Sequence, residues 1–165
     1  MEANNLFDAI SYFKEMASKN KLAKVLGFYP CTCSGMNSLE DVLANFRTKS
    51  AFLAVDDTND GVTERRSGGF FKKRTFTIFL LNKYRYDDMA DRQQSLDVCR
   101  QIYRQIHSRL LVDKERMSNS LVYLNVDNIY TRELGEYFIS GCTGLYFMVE
   151  VSEPINLMYD EREWE

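Results

Sequence analysis

The chain has 165 residues, 45% hydrophobic, 13% aromatic and 27% charged, which is enough apolar material for one packed domain and too much for a disordered one. Its longest apolar stretch, Phe76–Leu81, is interrupted by Thr77 and falls far short of the roughly 20 residues that span a bilayer. Asp8 sits inside the N-terminal apolar stretch and no cationic leader precedes it, so the expectation is an intracellular product without a secretory signal. A net charge of −3 argues against general nucleic-acid binding, which needs a basic excess to neutralise phosphates.

Asn4 and Asn5 are good cap residues, and Leu6, Phe7, Ile10, Phe13 and Ala17 follow at helical spacing, predicting an opening amphipathic helix of about four turns. Lys19, Asn20 and Lys21 interrupt it. A shorter apolar patch, Leu22, Val25 and Leu26, ends at Gly27, and Tyr29–Gly35 reads as a connecting loop. Ser38 with Asp41 three residues later resembles a capping box, and Leu39, Val42, Leu43 and Phe46 give a second helix its apolar face.

Ala51–Val55 and Phe70–Leu81 then read as paired strands. Between them Asp56–Gly69 is polar, contains glycine and is longer than a tight turn needs, so it is either a loop or the tip of a projecting β-arm. The second strand supports the arm. Its first half is charged on both faces, with Lys72 and Arg74 on one and Lys73 on the other, while its second half is apolar on both, so it leaves the core partway along.

Asp87 and Asp88 cap a long helix from Met89 to Leu111, with Met89, Leu96, Tyr103, Ile106 and Leu110 as its apolar stripe and Arg92, Arg100, Arg104 and Arg109 on its outer faces. A polar break at Asp113–Ser120 precedes a strand at Leu121–Val126, which Asn128–Leu134 continues or edges, and Gly135 turns the chain. Tyr137–Val151 is the last strand region, with Gly141 and Gly144 marking a bulge or bend and Pro154 ending it.

The order helix, helix, strand, strand, long helix, strand, strand lacks the alternation of a doubly wound parallel sheet. The fold class is therefore α+β: a mainly antiparallel sheet of about four to five strands, a long helix packed on one face, and two N-terminal helices. A single domain is expected over 1–165, with a helical part at 1–50, the hairpin, long helix and paired strands at 51–151, and an acidic tail at 152–165.

Reactive chemistry finds little purchase in this sequence. Cys31 and Cys33 are one residue apart and Cys99 and Cys142 stand alone, which is not zinc-site spacing, so the thiols read as small buried hydrophobes. His107 is the only histidine; it lies on the long helix with no nucleophile motif nearby and reads as flank packing. Asp56, Asp57, Lys72 and Lys73 superficially resemble a metal-dependent nuclease, but Phe70–Leu81 contains no second carboxylate to share a cation. Gly68-Gly69 has neither the spacing nor the lysine of a phosphate loop. No catalytic residue, metal or cofactor is expected.

Charge is instead distributed unevenly. From Glu64 to Arg74 the cations Arg65, Arg66, Lys72, Lys73 and Arg74 face one acid, whereas Glu150–Glu165 holds six acids against Arg162. These regions can attract one another within a chain or between chains. The arm's cations interleave with Phe70 and Phe71, a pattern used by single-strand binders and also by solvated protein-binding arms that resist edge pairing. Tyr159 and Trp164 are large aromatics in an acidic segment, candidates for anchors at a protein interface or for docking on their own domain.

The order helix, β-hairpin with a long arm, long helix, paired strands and acidic tail resembles that of the tail terminator and minor tail proteins of long-tailed bacteriophages. The stretches Phe52-Leu53-Ala54-Val55-Asp56-Asp57, Gly68-Gly69-Phe70-Phe71-Lys72-Lys73-Arg74 and Gly141-Cys142-Thr143-Gly144-Leu145-Tyr146-Phe147 are similar to phage and prophage structural proteins of this size. The likeness covers the order of elements from Ala51 to Glu165 and leaves the earlier helices unmatched. It implies a non-enzymatic virion assembly protein: a tail completion subunit forming a ring homo-oligomer, such as a hexamer, that caps the tail tube, stops its polymerisation and meets the head connector. It also implies a cytoplasmic protein during assembly that ends in the virion tail. On that view Arg65, Arg66, Lys72, Lys73, Arg74, Tyr159 and Trp164 form the contacts with other copies or other tail proteins. The alternatives are a nucleic-acid-binding accessory protein using the arm at 64–74 and a metal-dependent nuclease.

Overall fold

The structure, a computed structural model, describes residues 6–135 and 141–165. The first helix, α1 (Ala9–Lys19), is capped by Asp8, whose carboxylate accepts from the Ser11 amide at 3.0 Å and hydroxyl at 2.7 Å. The expected caps Asn4 and Asn5 lie outside the described residues. A one-turn helix, α2 (Lys21–Val25), follows with Asn20 as its cap, and Gly27 at φ +72° ends it.

The segment expected to be a loop is a strand, β1 (Phe28–Cys33), paired parallel with β2 (Ala51–Asp56). The helix α3 (Gly35–Asn45) connects the two. Proline argues against strand from sequence alone, but β1 is the outermost strand of the sheet, where a missing amide donor costs nothing on the open side. The capping box assigned to Ser38 is also displaced. The helix starts one turn earlier, and Ser38 Oγ accepts from the Ser34 amide at 3.1 Å.

The region 56–69 does form an arm. A strand, β3 (Asp60–Arg66), turns at Ser67-Gly68 into β4 (Gly69–Lys83), with antiparallel register from Asp60 opposite Thr75 to Arg66 opposite Gly69. The long helix α4 (Met89–Ser118) is capped by Asp88, which accepts from the Asp91 amide at 2.9 Å. It runs seven residues past the expected stop at Leu111. Its buried stripe is Leu96, Cys99, Ile102, Ile106, Leu110, Asp113 and Met117, so the supposed polar break is two further turns with one carboxylate turned inward. Met89, expected in the stripe, is exposed.

Two long strands complete the sheet, β5 (Tyr123–Leu134) and β6 (Cys142–Ile155). The expected strand start at Tyr137 lies outside the described residues, and Pro154 sits within the strand, opposite Phe71, rather than ending it. Pairing of β4 with β6 is unbroken from Phe70–Ile155 to Lys83–Cys142. No bulge therefore occurs at Gly144. What Gly144 provides is close approach: at φ +148°, a Cβ there would lie 1.9 Å from the Leu80 carbonyl oxygen. The irregularity falls in β5 instead, between Asn125 and Tyr130.

The sheet order is β1-β2-β4-β6-β5, with β3 sharing the β2 edge of β4. The fold is thus α+β with a mixed sheet of six strands, larger than expected because of β1 and β3. Strand alternation sends Leu53, Val55, Phe76, Ile78, Leu80, Phe147 and Val149 to one face under α1 and α4. It sends Cys31, Phe52, Ala54, Phe79 and Leu81 to the other face, where Leu39 and Leu43 of α3 cover them. Among the described residues no helix is long and apolar enough to cross a membrane.

Candidate interaction surface

The two helical layers are unequal. α1 and α4 lie across all of the strands that make up the body, whereas α3 covers only the β1–β2 side of the second face. Beyond it the alternating residues Thr77 of β4, Tyr146 and Met148 of β6, and Tyr130 and Arg132 of β5 remain open or half-open. Thr77, Arg132, Tyr146 and Met148, together with Met36 of α3, the edge residue Asp56 and Glu133 of β5, help to line a groove of about 520 Å³. No ion pair reaches Arg132 from the described residues.

The five arm cations are disposed of differently. Strand pairing brings the tail's first acids beside the arm: Arg74 donates to Glu153 at 2.8 Å, both side chains being mostly buried (14% and 8% exposed), and Lys73 stands 3.7 Å from Glu150. The same guanidinium donates to the Phe7 carbonyl at 2.8 Å while Glu153 accepts from the Phe7 amide at 2.7 Å, fastening the lead-in to α1 to the base of the arm. Arg66 pairs with Glu64 and lies over the Phe71 ring, and Arg65 lies 4.8 Å from the Phe70 ring centre. Arg65 and Lys72 have no acidic partner among the described residues. The expected attraction of arm and tail is therefore met inside the chain by Glu150 and Glu153, and the later acids are not on the arm.

After Ile155 the tail leaves the sheet. Asp160 caps a single 3-10 turn at Glu161–Glu163 and pairs with Arg162 at 2.7 Å. Tyr159 and Trp164, 74% and 69% exposed, stack with ring centres 6.4 Å apart. Both rings are largely exposed, as are Leu157 and Met158 beside them.

No protein-family model matches the chain, and no curated protein matches it.

The groups with possible reactive chemistry are committed to structure. Asp56 accepts from the Gly35 and Thr58 amides and the Thr58 hydroxyl, and Asp57 from the Ser34 hydroxyl, as turn carboxylates do. Among the described residues no three His, Cys, Asp or Glu side chains are grouped to hold a metal. The four cysteines are free and buried; burial pushes Cys31 and Cys142 up to about 11 and Cys33 and Cys99 up to about 12, so they are inert thiols rather than thiolates at neutral pH. His107 Nε2 lies 2.7 Å from the Val126 carbonyl, which can only accept, so this nitrogen donates, and Nδ1 lies 3.3 Å from the Tyr103 hydroxyl.

Two features were missed in the sequence. Asp113, 2% exposed, accepts from Tyr12 at 2.7 Å and from Arg109 and Arg116, locking α1 to α4. The open-face residues Tyr146, Met148 and Arg132 were legible as the alternate positions of strands whose other members, Leu145, Phe147 and Val149, are plainly core.

Proposed function

We propose that this chain is a non-enzymatic assembly subunit, a tail terminator or tail completion protein of a phage or prophage, that joins copies of itself into a ring at the end of a tail tube. The carrying observation is the largely exposed stacked pair Tyr159–Trp164 on the acidic tail. Monomers rarely present a contiguous apolar group of this kind, and aromatic anchors rimmed by charge supply much of the binding energy at protein interfaces. The arm supports the same reading: three of its five cations have acidic neighbours within the chain, leaving Arg65 and Lys72 as a sparse charge for phosphate binding and an adequate one for steering a protein partner. Unlike patches on one subunit, one offered and one received, are what a heterologous ring contact requires.

Light scattering on the eluting protein, with negative-stain microscopy of the same fractions, tests this. The expected result is a closed ring of uniform mass. A monomer at all concentrations up to about 1 mM, too weak for a stable interface, overturns it. Retention on DNA at about 0.15 M salt that is lost on neutralising Arg65 and Lys72 would favour nucleic-acid binding instead.

A further inference from the structure

A second hollow adjoins the open groove at the foot of the arm. It encloses about 170 Å³ and is lined by Asp56 and Asp60, by Thr58, Thr75 and Thr77, and by Met148, with no cation among its lining residues. Asp56 Oδ1 accepts from the Gly35 and Thr58 amides and the Thr58 hydroxyl. Its Oδ2 and the whole Asp60 carboxylate have no hydrogen-bond or ion-pair partner among the described residues, so both acids keep acceptor capacity for a charged donor. Arg132 lies two strands away on β5 and lines the wider groove, not this hollow. The Glu133 carboxylate accepts from Arg100 of α4 at 3.0 Å, on the other face of the sheet.

The arm tip carries the counterpart. Arg65 is exposed, has no acidic partner among the described residues, and lies 4.8 Å from the Phe70 ring centre. It cannot reach the hollow of its own chain. Strand alternation puts Arg65 and Phe70 on the face of Phe76 and Ile78, whereas Asp56, Thr75 and Thr77 share the face of Phe79. The β3–β4 ladder is unbroken from Asp60–Thr75 to Arg66–Gly69, and five residues of strand hold Arg65 about 17 Å beyond Asp60. We propose that the arm tip of one copy docks at the foot of the arm of the next, with the Arg65 guanidinium between Asp56 and Asp60 and the Phe70 ring against Met148 and Tyr146. Charge meets opposite charge, and thioether and aromatic walls adapt to an inserted ring. Lys72, on the same face as Arg65 and also without an acidic partner among the described residues, adds to the attraction. This rests on the self-assembly reading and deepens it by naming both halves of the contact. Because each copy gives its arm to one neighbour and receives the arm of another, the contact is heterologous, and it closes a ring if the rotation allows.

A photo-crosslinking phenylalanine derivative at position 70 reads the site directly, and light scattering reads its strength. The wild-type chain is expected to assemble, and the crosslink to join copies through peptides holding Asp56–Asp60 or Tyr146–Met148. Arg65→Glu and Asp60→Arg, both at exposed positions, should keep the wild-type melting midpoint and each weaken association roughly thirtyfold, as loss of an interface anchor does. Mixing the two variant chains should restore association, because each then meets a charge of opposite sign that it does not find in its own kind. If the wild type assembles but mixing restores nothing, if both variants assemble unchanged, or if the crosslink reaches only the tail at 157–165, the docking is wrong and the assembly reading stands. A wild type that stays monomeric overturns the assembly reading and the docking with it.

Discussion

The two ends of the β4–β6 pair share one unbroken hydrogen-bonded ladder and are held by different forces. At the inner end Ile78 faces Phe147 and Leu80 faces Leu145, all buried under α4, so burial of apolar surface stabilises the pairing. At the outer end Phe70, Lys72 and Arg74 face Ile155, Glu153 and Val151, and the stabilising contacts are an enclosed ion pair and guanidinium groups over phenyl rings. Backbone pairing alone therefore does not distinguish core from arm. What distinguishes them is whether the side chains need solvent, and among the described residues the outer end keeps Arg65 and Lys72 without an acidic partner.

The sharpest way to break the inner end is Gly144→Ala. The added methyl would meet the Leu80 carbonyl at 1.9 Å in a backbone region unsuited to alanine, and a loss above about 4 kcal/mol is expected, measured as failure to show a cooperative thermal transition. At the junction of the two ends, Arg74→Met leaves Glu153 buried without its partner and should cost about 3 kcal/mol in urea unfolding. Adding Glu153→Leu should recover part of that loss, because removing both charges is less costly than stranding one. A double variant no more stable than the single would mean that the pair is not desolvated as its geometry implies.

The helical layer offers an intermediate test through pH. Burial pushes the Asp113 carboxyl up, but the hydrogen bond from Tyr12 and the guanidinium groups of Arg109 and Arg116 outweigh it and hold it below the ordinary range. A carboxylate depressed in the folded state adds stability above its unfolded value near pH 4 and loses it as pH falls through the lower folded value. Unfolding free energies below about pH 4 should thus fall less steeply for Asp113→Asn than for the wild type. Smallest of all, Glu64→Ala at the solvated tip removes a pairing with Arg66 in open water and should leave the melting midpoint where it was.

Legibility in the sequence followed the same division. Where an element buries one face, periodicity exposed it: α1, α3, α4 and the inner half of β4 are placed by their apolar residues, and the charged first half of β4 already implied an arm. Where another force decides, the sequence misled. β1 carries Pro30 between two glycine turns and becomes a strand only because β2 offers an edge beside it. The end of α4 carries Asp113, polar by type, and stays helical because Tyr12 of α1 and Arg109 and Arg116 of the same helix satisfy that carboxylate. Of the candidate surface, the arm cations and the tail aromatics were readable as anomalies of charge and size. Arg132 was not, since an isolated arginine in an edge strand becomes conspicuous only once its neighbours across β6 are known.

The position of β6 between β4 and β5 governs how the molecule can be made. Both neighbours leave the ribosome before it does, with a hydrogen-bonding side each and nothing yet to occupy it. Until Ile155 has been synthesised the nascent chain carries two unfilled strand edges, and any shortened product that stops before β6 keeps them, which makes it a substrate for proteolysis or aggregation rather than a smaller working subunit.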